Sequence, residues 1–240
     1  MLKAVVFDSG WGGEMFADYL EERMPVVEVI RVIDWRRAPY GDRGRAEICV
    51  MVDKVLQPFI GEADVIVLAS YAVTVAALSY LRWKYPEQKF VGFEMGLSDY
   101  VVEKKNYSNT VMVLATGVVE KSASFMREML TMRGKHILRP DCAGWTKLVD
   151  DGEMTERKLR EYLDGYLDMK IDVILPYSTG FLDLKPMLEK IYGRGVVVND
   201  FARVFQQVCV ALGLRGGGYS KTALRRRTPA EEDSSFLILK

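Results

Sequence analysis

Two short motifs near the N-terminus carry residues that could bind or activate a small ligand. The first, Asp-Ser-Gly-Trp-Gly-Gly at residues 8–13, directly follows an apolar run. Its glycines allow close backbone approach and a sharp turn into a helix, whose free N–H groups can hold a carboxylate. Asp8 could take an ammonium group or a proton. A simple glycine-rich turn capped by Asp8 or Ser9 explains the same residues, and the pattern is not the dinucleotide fingerprint.

The second motif is Pro-Tyr-Gly-Asp at residues 39–42. Proline occupies a favoured turn position there, so a structural turn is the simpler interpretation of this motif alone.

Cysteine and histidine are too few and too scattered to indicate a metal or nucleophile site. The cysteines are Cys49, Cys142 and Cys209, and the only histidine is His136. An odd number at wide spacing indicates neither a disulfide framework nor a zinc site. No nucleophile motif accompanies His136, which we expect to be a surface or strand residue. The chain therefore has the composition of a reduced, cytoplasmic protein without a metal.

Short apolar runs alternate with longer amphipathic stretches, which predicts an α/β fold with largely parallel sheets. The predicted strands cover residues 4–7, 27–33, 65–69, 90–93, 110–115, 173–175 and 196–198. The predicted helices cover residues 13–23, 45–59, 73–84, 119–133, 156–169, 185–192 and 201–212, and Thr155 can cap the helix behind it.

An internal similarity indicates two related halves. Residues 65–70 and 172–179 each form a strand that runs into a loop and then a helix. Ligands of open α/β sheets bind at such strand ends, so a cleft between the halves is expected. The predicted division is residues 1–96 with about 201–225 in the first half and 97–200 in the second. Residues 226–240 are expected to be a loose tail.

The bulk properties exclude several classes. The chain has 240 residues and no formal net charge, so a nucleic-acid partner is not expected. The arginines at 225–227 precede acidic residues and are interpreted as a solvated tail. No apolar stretch approaches a membrane span, and the first residues do not form a signal peptide.

Several collinear segments resemble the aspartate/glutamate racemase superfamily, and glutamate racemase in particular. "VFDSGWGG" at 6–13 and "PYGD" at 39–42 are followed by segments that keep that family's order. They are "VIVLASYAVTVAAL" at 65–78, "VGFEMG" at 91–96, "TVMVLAT" at 110–116, "LVDDGE" at 148–153 and "VILPYSTGFLDLKPMLEK" at 173–190.

The resemblance implies two pseudo-symmetric α/β halves, a cleft between them and no cofactor. In the family, two cysteines on opposite sides of the substrate Cα exchange its proton by acid–base catalysis. The resemblance also implies a small amino acid or dicarboxylate as ligand, and a homodimer, which that family often forms.

Carried over by position, the two family cysteines fall on Ser70 and Ser178, and the neighbouring family histidine falls on Gly180. The second match keeps Lys185-Pro186 in register. With Asp8 as the third catalytic candidate, the ligand-binding positions implied are Ser9, Gly10, Pro39, Tyr40, Gly41, Tyr71, Ala72, Thr116 and Thr179.

A serine hydroxyl is a far weaker acid than a thiol and needs a histidine or lysine partner to act as a base. We therefore expect a divergent protein, in effect a pseudoenzyme, that binds a small amino acid or carboxylate without two-thiol racemase activity. We also expect Tyr71 and Phe181 to make the cleft bulkier and more aromatic.

Three alternatives stay open at this stage. A cofactor-independent racemase or isomerase could use Asp8, Tyr71, Tyr177 or Glu153 as its acid or base. A true glutamate racemase would have to work through the two serines. An interaction protein would keep the cleft only as a vestige.

Overall fold

Two parallel β-sheets organise the chain. The structure, a computed structural model, describes residues 1–103 and 109–214. The first sheet has the order β2-β1-β3-β4 and consists of β1 (Leu2–Asp8), β2 (Val27–Ile33), β3 (Val65–Leu68) and β4 (Phe90–Gly92). The second has the order β6-β5-β7 and consists of β5 (Thr110–Ala115), β6 (His136–Leu138) and β7 (Val173–Tyr177). The predicted α/β fold with parallel strands is confirmed.

Helices connect the strands, as parallel pairing requires. In chain order they are α1 (Trp11–Arg23), α2 (Arg45–Leu56), α3 (Tyr71–Lys84), α4 (Ser98–Glu103), α5 (Gly117–Glu120), α6 (Ala123–Thr131), α7 (Trp145–Asp150), α8 (Glu156–Tyr162), α9 (Lys185–Tyr192) and α10 (Phe201–Ala211). Short 3-10 helices cover Trp35–Arg37, Gln57–Phe59, Asp164–Tyr166 and Thr179–Leu184.

Strand alternation divides the core. Val5 and Phe7 of β1 face a cluster within the first half, whereas Ala4 and Val6 face a cluster shared by both sheets. Because successive strand residues point to opposite faces, one strand serves both clusters. The shared cluster includes Val113 and other residues of the second sheet, so the two halves pack on a continuous apolar core.

Several element predictions differ from the structure: helices α4 and α7 were not predicted, and the helix predicted over 156–169 ends at Tyr162. Residues 196–198 do not form a strand, because only Val197 makes a bridge, to Ile174. The strand β6, which begins at the exposed His136, was not predicted. The helix predicted over 119–133 is broken at Ser122, whose hydroxyl instead caps α6 by accepting from the Phe125 amide at 3.1 Å.

The predicted cap at Thr155 is confirmed. Thr155 caps α8, since its hydroxyl accepts from the Lys158 amide at 3.3 Å. Helix α10 packs on β3, β4 and α1 of the first half. The division of the chain into halves at the residues given above stays a prediction, and the predicted tail lies outside the described residues.

Within the two described stretches, no helix combines the length and the apolar composition needed to cross a membrane.

Candidate functional site

The candidate site lies where the carboxyl ends of four strands meet. Strands β1 and β3 are neighbours in the first sheet, and β5 and β7 are neighbours in the second. The residues that end or follow these strands are Asp8, Ser70, Thr116 and Ser178, and they line one cleft. Parallel α/β sheets place ligands at this edge.

Ser70 and Ser178 occupy matching places in the two halves. Each precedes the first residue of a helix, and their φ/ψ angles are −144°/129° and −148°/128°. A serine in this position usually accepts from an amide of the first turn. Neither hydroxyl does so, and both serines line the cleft.

Most of the residues proposed from the sequence come together in this cleft. They are Asp8, Ser9, Gly10, Gly41, Ser70, Ala72, Thr116, Ser178 and Thr179.

The aromatic residues and Glu153 lie elsewhere. Tyr71 is buried in the shared core, where its ring meets Tyr177 with centroids 5.5 Å apart and its hydroxyl donates to Asp200 at 2.7 Å. Phe181 packs against Trp145 in the second half. The expectation that Tyr71 and Phe181 make the cleft aromatic is therefore wrong, because both rings pack against other aromatic rings in the core. Glu153 is exposed and pairs with Lys158.

Two other residues proposed from the sequence, Pro39 and Tyr40, do not line the cleft. Tyr40 is buried and its hydroxyl donates to Asp34 at 2.6 Å, which turns it away from the cleft. Pro39 precedes it and does not line the cleft.

The cleft is closed. Its free volume is about 20 Å³, enough for about one water molecule and too small for an amino acid. Thr179 holds the halves together, since its hydroxyl lies 2.9 Å from the Ala69 carbonyl and 3.3 Å from an Asp8 carboxyl oxygen. The Val118 amide also donates to the Gly41 carbonyl at 3.0 Å.

Two glycines of the first motif permit this closure. A Cβ at Gly10 would lie 2.5 Å from the Asp150 carboxyl oxygens, and a Cβ at Gly12 would overlap the Thr179 side chain. Side chains of the second half thus occupy the space beside these glycines in which a ligand was expected.

Asp150, Thr146 and Trp11 also line the cleft and were not singled out from the sequence. Asp150 ends α7 and accepts from the Trp11 amide at 3.0 Å. The "LVDDGE" segment that contains Asp150 is a signal from which it could have been found, whereas Glu153, the candidate acid or base of that segment, faces solvent.

Burial perturbs both carboxyl groups of the cleft. It raises the pKa of Asp8 to about 8, and the nearby Asp150 adds to this, while the Ser9 amide, Thr179 and Ser70 act in the opposite direction. Burial also raises the pKa of Asp150 to about 6, opposed by the Trp11 amide. At neutral pH the cleft therefore holds a protonated Asp8 beside a largely ionised Asp150.

Two buried polar atoms of the cleft residues lack a hydrogen-bond partner: Thr116 Oγ1 and Asp150 Oδ2. Unpaired buried groups carry a free-energy cost that a bound water or ligand group would relieve.

No cysteine lines the cleft. Cys49 donates to the Ala76 carbonyl, Cys142 to the Pro140 carbonyl, and Cys209 lies against Met24. Among the residues that the structure describes, no group of His, Cys, Asp and Glu is arranged to hold a metal ion.

Known proteins that this chain resembles include glutamate racemases. The chain is 25% identical to a glutamate racemase of Pseudomonas syringae pv. tomato over 229 residues, which covers 91% of this chain and 82% of that protein. It is 29% identical to a glutamate racemase of Ectopseudomonas mendocina over 218 residues, or 87% and 81% of the two chains. No family model matches the chain.

Among solved structures, the fold matches Escherichia coli glutamate racemase in complex with L-glutamate. The TM-score is 0.79 at 22% identity, and the match covers 88% of this chain and 82% of that one. The chain is thus similar in sequence to glutamate racemases and similar in fold to a solved one. The cleft offers the hydroxyls of Ser70 and Ser178 together with four others, and two carboxyls of unequal pKa. These groups can hold or move protons but provide no thiolate.

Proposed function

We propose that this racemase-like protein does not racemise amino acids by the two-thiol route, and that it binds a small amino acid or carboxylate in its cleft. The observation that carries the proposal is that Ser70 and Ser178 line a cleft that contains no cysteine. We assign these serines to the positions of the family's catalytic cysteines. A hydroxyl without a basic partner does not become an alkoxide near neutral pH, so it cannot remove an α-proton.

Binding requires the halves to separate. The closed cleft admits about one water molecule, so a ligand has to replace the contacts of Thr179 with Asp8 and Ala69. The free N–H groups where α3 and the 3-10 helix Thr179–Leu184 begin suit a carboxylate. Asp150, the carboxyl that is largely ionised at neutral pH, suits an ammonium group. Thr116 Oγ1, which has no partner in the closed cleft, offers a further hydrogen bond.

Proton exchange in D₂O tests the first part of the proposal. We expect L- and D-glutamate and L- and D-aspartate to keep their α-proton NMR signals with the wild-type protein. We expect the Ser70→Cys/Ser178→Cys variant to exchange them, while the matched Ser70→Ala/Ser178→Ala variant stays inactive. Exchange by the wild type that either single alanine substitution abolishes would refute the proposal.

Ligand-dependent melting tests the second part. We expect a rise in Tm with at least one member of a panel of amino acids and dicarboxylic acids, because a ligand that binds only the folded state stabilises it. No shift across the panel, together with no exchange by the cysteine variant, would contradict ligand binding. The cleft would then be the vestige of an interaction protein.

The two carboxyl groups favour a second candidate, a cofactor-independent racemase or isomerase that acts on another substrate. Groups with pKa values near 6 and 8 in one buried cleft are suited to act as base and acid, Asp150 and Asp8 respectively. Such an enzyme would show a bell-shaped pH dependence between these values. An activity that survives in the Asp8→Asn variant would exclude this assignment.

A further inference from the structure

A second cavity, of about 920 Å³, is an open groove bordered by both halves of the molecule. Its first wall comes from residues 42–45 and from residues 74–82 of α3. Its second wall comes from residues 117–127, and Glu94 and Met95 complete the lining. We call this cavity the basic groove. Its volume falls within the range of sites that bind small molecules.

Positive charge dominates the basic groove. Two of its lining residues are acidic, Asp42 and Glu94, and five are basic, which leaves an excess of three positive charges in a chain with no net charge. The basic residues are Arg43, Arg45, Arg82, Lys121 and Arg127. This concentration of one sign attracts anions.

Three of the arginines are held in place by backbone carbonyls. Arg43 donates to the Arg37 carbonyl at 2.8 and 3.1 Å, Arg45 to the Ala76 carbonyl at 3.1 Å, and Arg82 to the Phe90 carbonyl at 3.0 Å. Arg43 also pairs with Glu47 and Arg82 with Glu94, so Arg45 is the one of the three without a carboxylate partner in the described residues. Anchored side chains lose less conformational entropy when they bind a ligand.

The two cations of the other wall are not paired. Lys121 and Arg127 are exposed, and neither forms a salt bridge or side-chain hydrogen bond within the described part of the chain. Anchored arginines therefore face two free cations across the groove. This arrangement suits a ligand with anionic groups at two separate points, each able to form charge-assisted hydrogen bonds.

The uncharged residues that line the basic groove indicate the chemistry of the part of the ligand between its anionic groups. None of the lining residues is aromatic, so the groove provides no surface on which a nucleobase could stack. It does provide hydroxyls from Ser79, Ser122 and Ser124. We propose that the basic groove binds a small molecule that carries at least two phosphate groups on a hydroxylated, non-aromatic framework, such as a sugar bisphosphate.

The groove and the cleft share two loops. The bond from the Val118 amide to the Gly41 carbonyl joins these loops, and Gly41 lines the cleft while Val118 lines the groove. A ligand that bridges both walls of the groove therefore stabilises the closed arrangement. The groove itself does not depend on the chemistry proposed for the cleft.

Calorimetric titration with fructose 1,6-bisphosphate tests the proposal, with inorganic pyrophosphate and fructose as comparison probes. We expect the bisphosphate to bind with a Kd below about 1 mM and to raise Tm, and fructose not to bind. We expect the Lys121→Ala/Arg127→Ala variant to bind at least about tenfold more weakly, since each lost cation removes charge-assisted hydrogen bonds. The matched Lys54→Ala/Arg133→Ala variant, which removes two exposed cations elsewhere, should change Kd less than about twofold.

Three outcomes would overturn the proposal. One is no binding of the bisphosphate by the wild type. Another is equal weakening by both double variants, which would indicate nonspecific attraction by net charge. The third is tighter binding of pyrophosphate than of the bisphosphate, which would refute the hydroxylated framework. Because the readout is binding and melting, these outcomes are independent of proton exchange at the cleft.

Discussion

The raised pKa of Asp8 should make the free energy of unfolding depend on pH. Its folded-state pKa of about 8 exceeds the ordinary value of 3.8, so the unfolded chain releases this proton at a lower pH than the folded chain does. The free energy of unfolding should therefore fall as pH rises from about 4 to about 8, by up to about 1.4 kcal/mol per pH unit.

The Asp8→Asn variant should lose most of this pH dependence, since it keeps the shape of the protonated group without the titration. Urea unfolding between pH 5 and 8 measures the effect, and Asp42→Asn, at an exposed position, is the matched control. A wild-type protein whose stability rose over this range would contradict the buried, protonated Asp8.

Individual residues also show where sequence reasoning stops. The two serines could be assigned to the cleft because each follows a strand in a recognisable segment. The placement of Tyr71 could not be predicted, because its ring and hydroxyl are directed by Tyr177 and Asp200, residues more than a hundred positions along the chain. The closure of the cleft could not be predicted for the same reason, because it depends on a contact between Thr179 and Asp8, which are 171 positions apart in the chain.

At the scale of elements, one buried carboxylate joins three segments. One oxygen of Glu128, on α6, accepts from the Tyr177 hydroxyl at 2.8 Å and from the amides of Gly96 and Ser98 at 3.0 and 2.7 Å. It therefore ties α6 to the end of β7 and to the segment that begins α4.

Glu128→Ala should destabilise the protein by about 3 kcal/mol or more, because it leaves two buried donors, the Ser98 amide and the Tyr177 hydroxyl, and the part-buried Gly96 amide unpaired. Glu128→Gln keeps an acceptor oxygen and should cost less. Chemical denaturation measures both, and Glu161→Ala, on an exposed side chain, should change stability by less than about 0.5 kcal/mol. An equal effect of the alanine and glutamine variants would show that charge, not the acceptor oxygen, matters.

A second element-scale prediction concerns the start of α1. Gly12→Ala places a methyl group against Thr179 and the backbone of Gly180, so it should destabilise the closed form by about 1–3 kcal/mol. Gly165→Ala, where nothing lies within 4 Å of the added carbon, should have little effect. Thermal unfolding compares the two, and equal Tm values would argue against the close approach of the halves.

The elements themselves were largely predictable, because buried Val- and Ile-rich runs alternate with amphipathic stretches. The errors have local causes. The strand β6 is only three residues long and begins at an exposed histidine, and the predicted helix over 119–133 contains a serine that caps a new helix.

For the whole molecule, protonation should control how the halves meet. Raising the pH from 6 to 9 ionises both Asp8 and Asp150 inside one closed cleft, which desolvation and mutual repulsion oppose. The cleft should therefore open more often at high pH.

The protection of the Val118 amide against hydrogen exchange should fall at least about tenfold as the pH rises from 6 to 9. This comparison uses exchange rates corrected for the intrinsic rate of the unfolded chain at each pH. The Ala69 amide, which bonds to the Phe7 carbonyl at 2.7 Å within the first sheet, is the internal reference. The Asp8→Asn/Asp150→Asn variant should show no such loss, and unchanged protection in the wild type would show that the closure does not depend on these carboxyls.

The absence of cysteine from the cleft also determines how the protein reacts with oxidants. Peroxide and alkylating reagents attack thiolates, and the hydroxyls of Ser70 and Ser178 do not react with them. Burial raises the pKa of Cys142 to about 12, which keeps that thiol protonated and inert. Cys49, the half-buried one, is the cysteine most open to modification, and its sulfur contacts α3 rather than the cleft. A protein with this architecture keeps its cleft chemistry unchanged under oxidative stress that would inactivate a two-thiol enzyme.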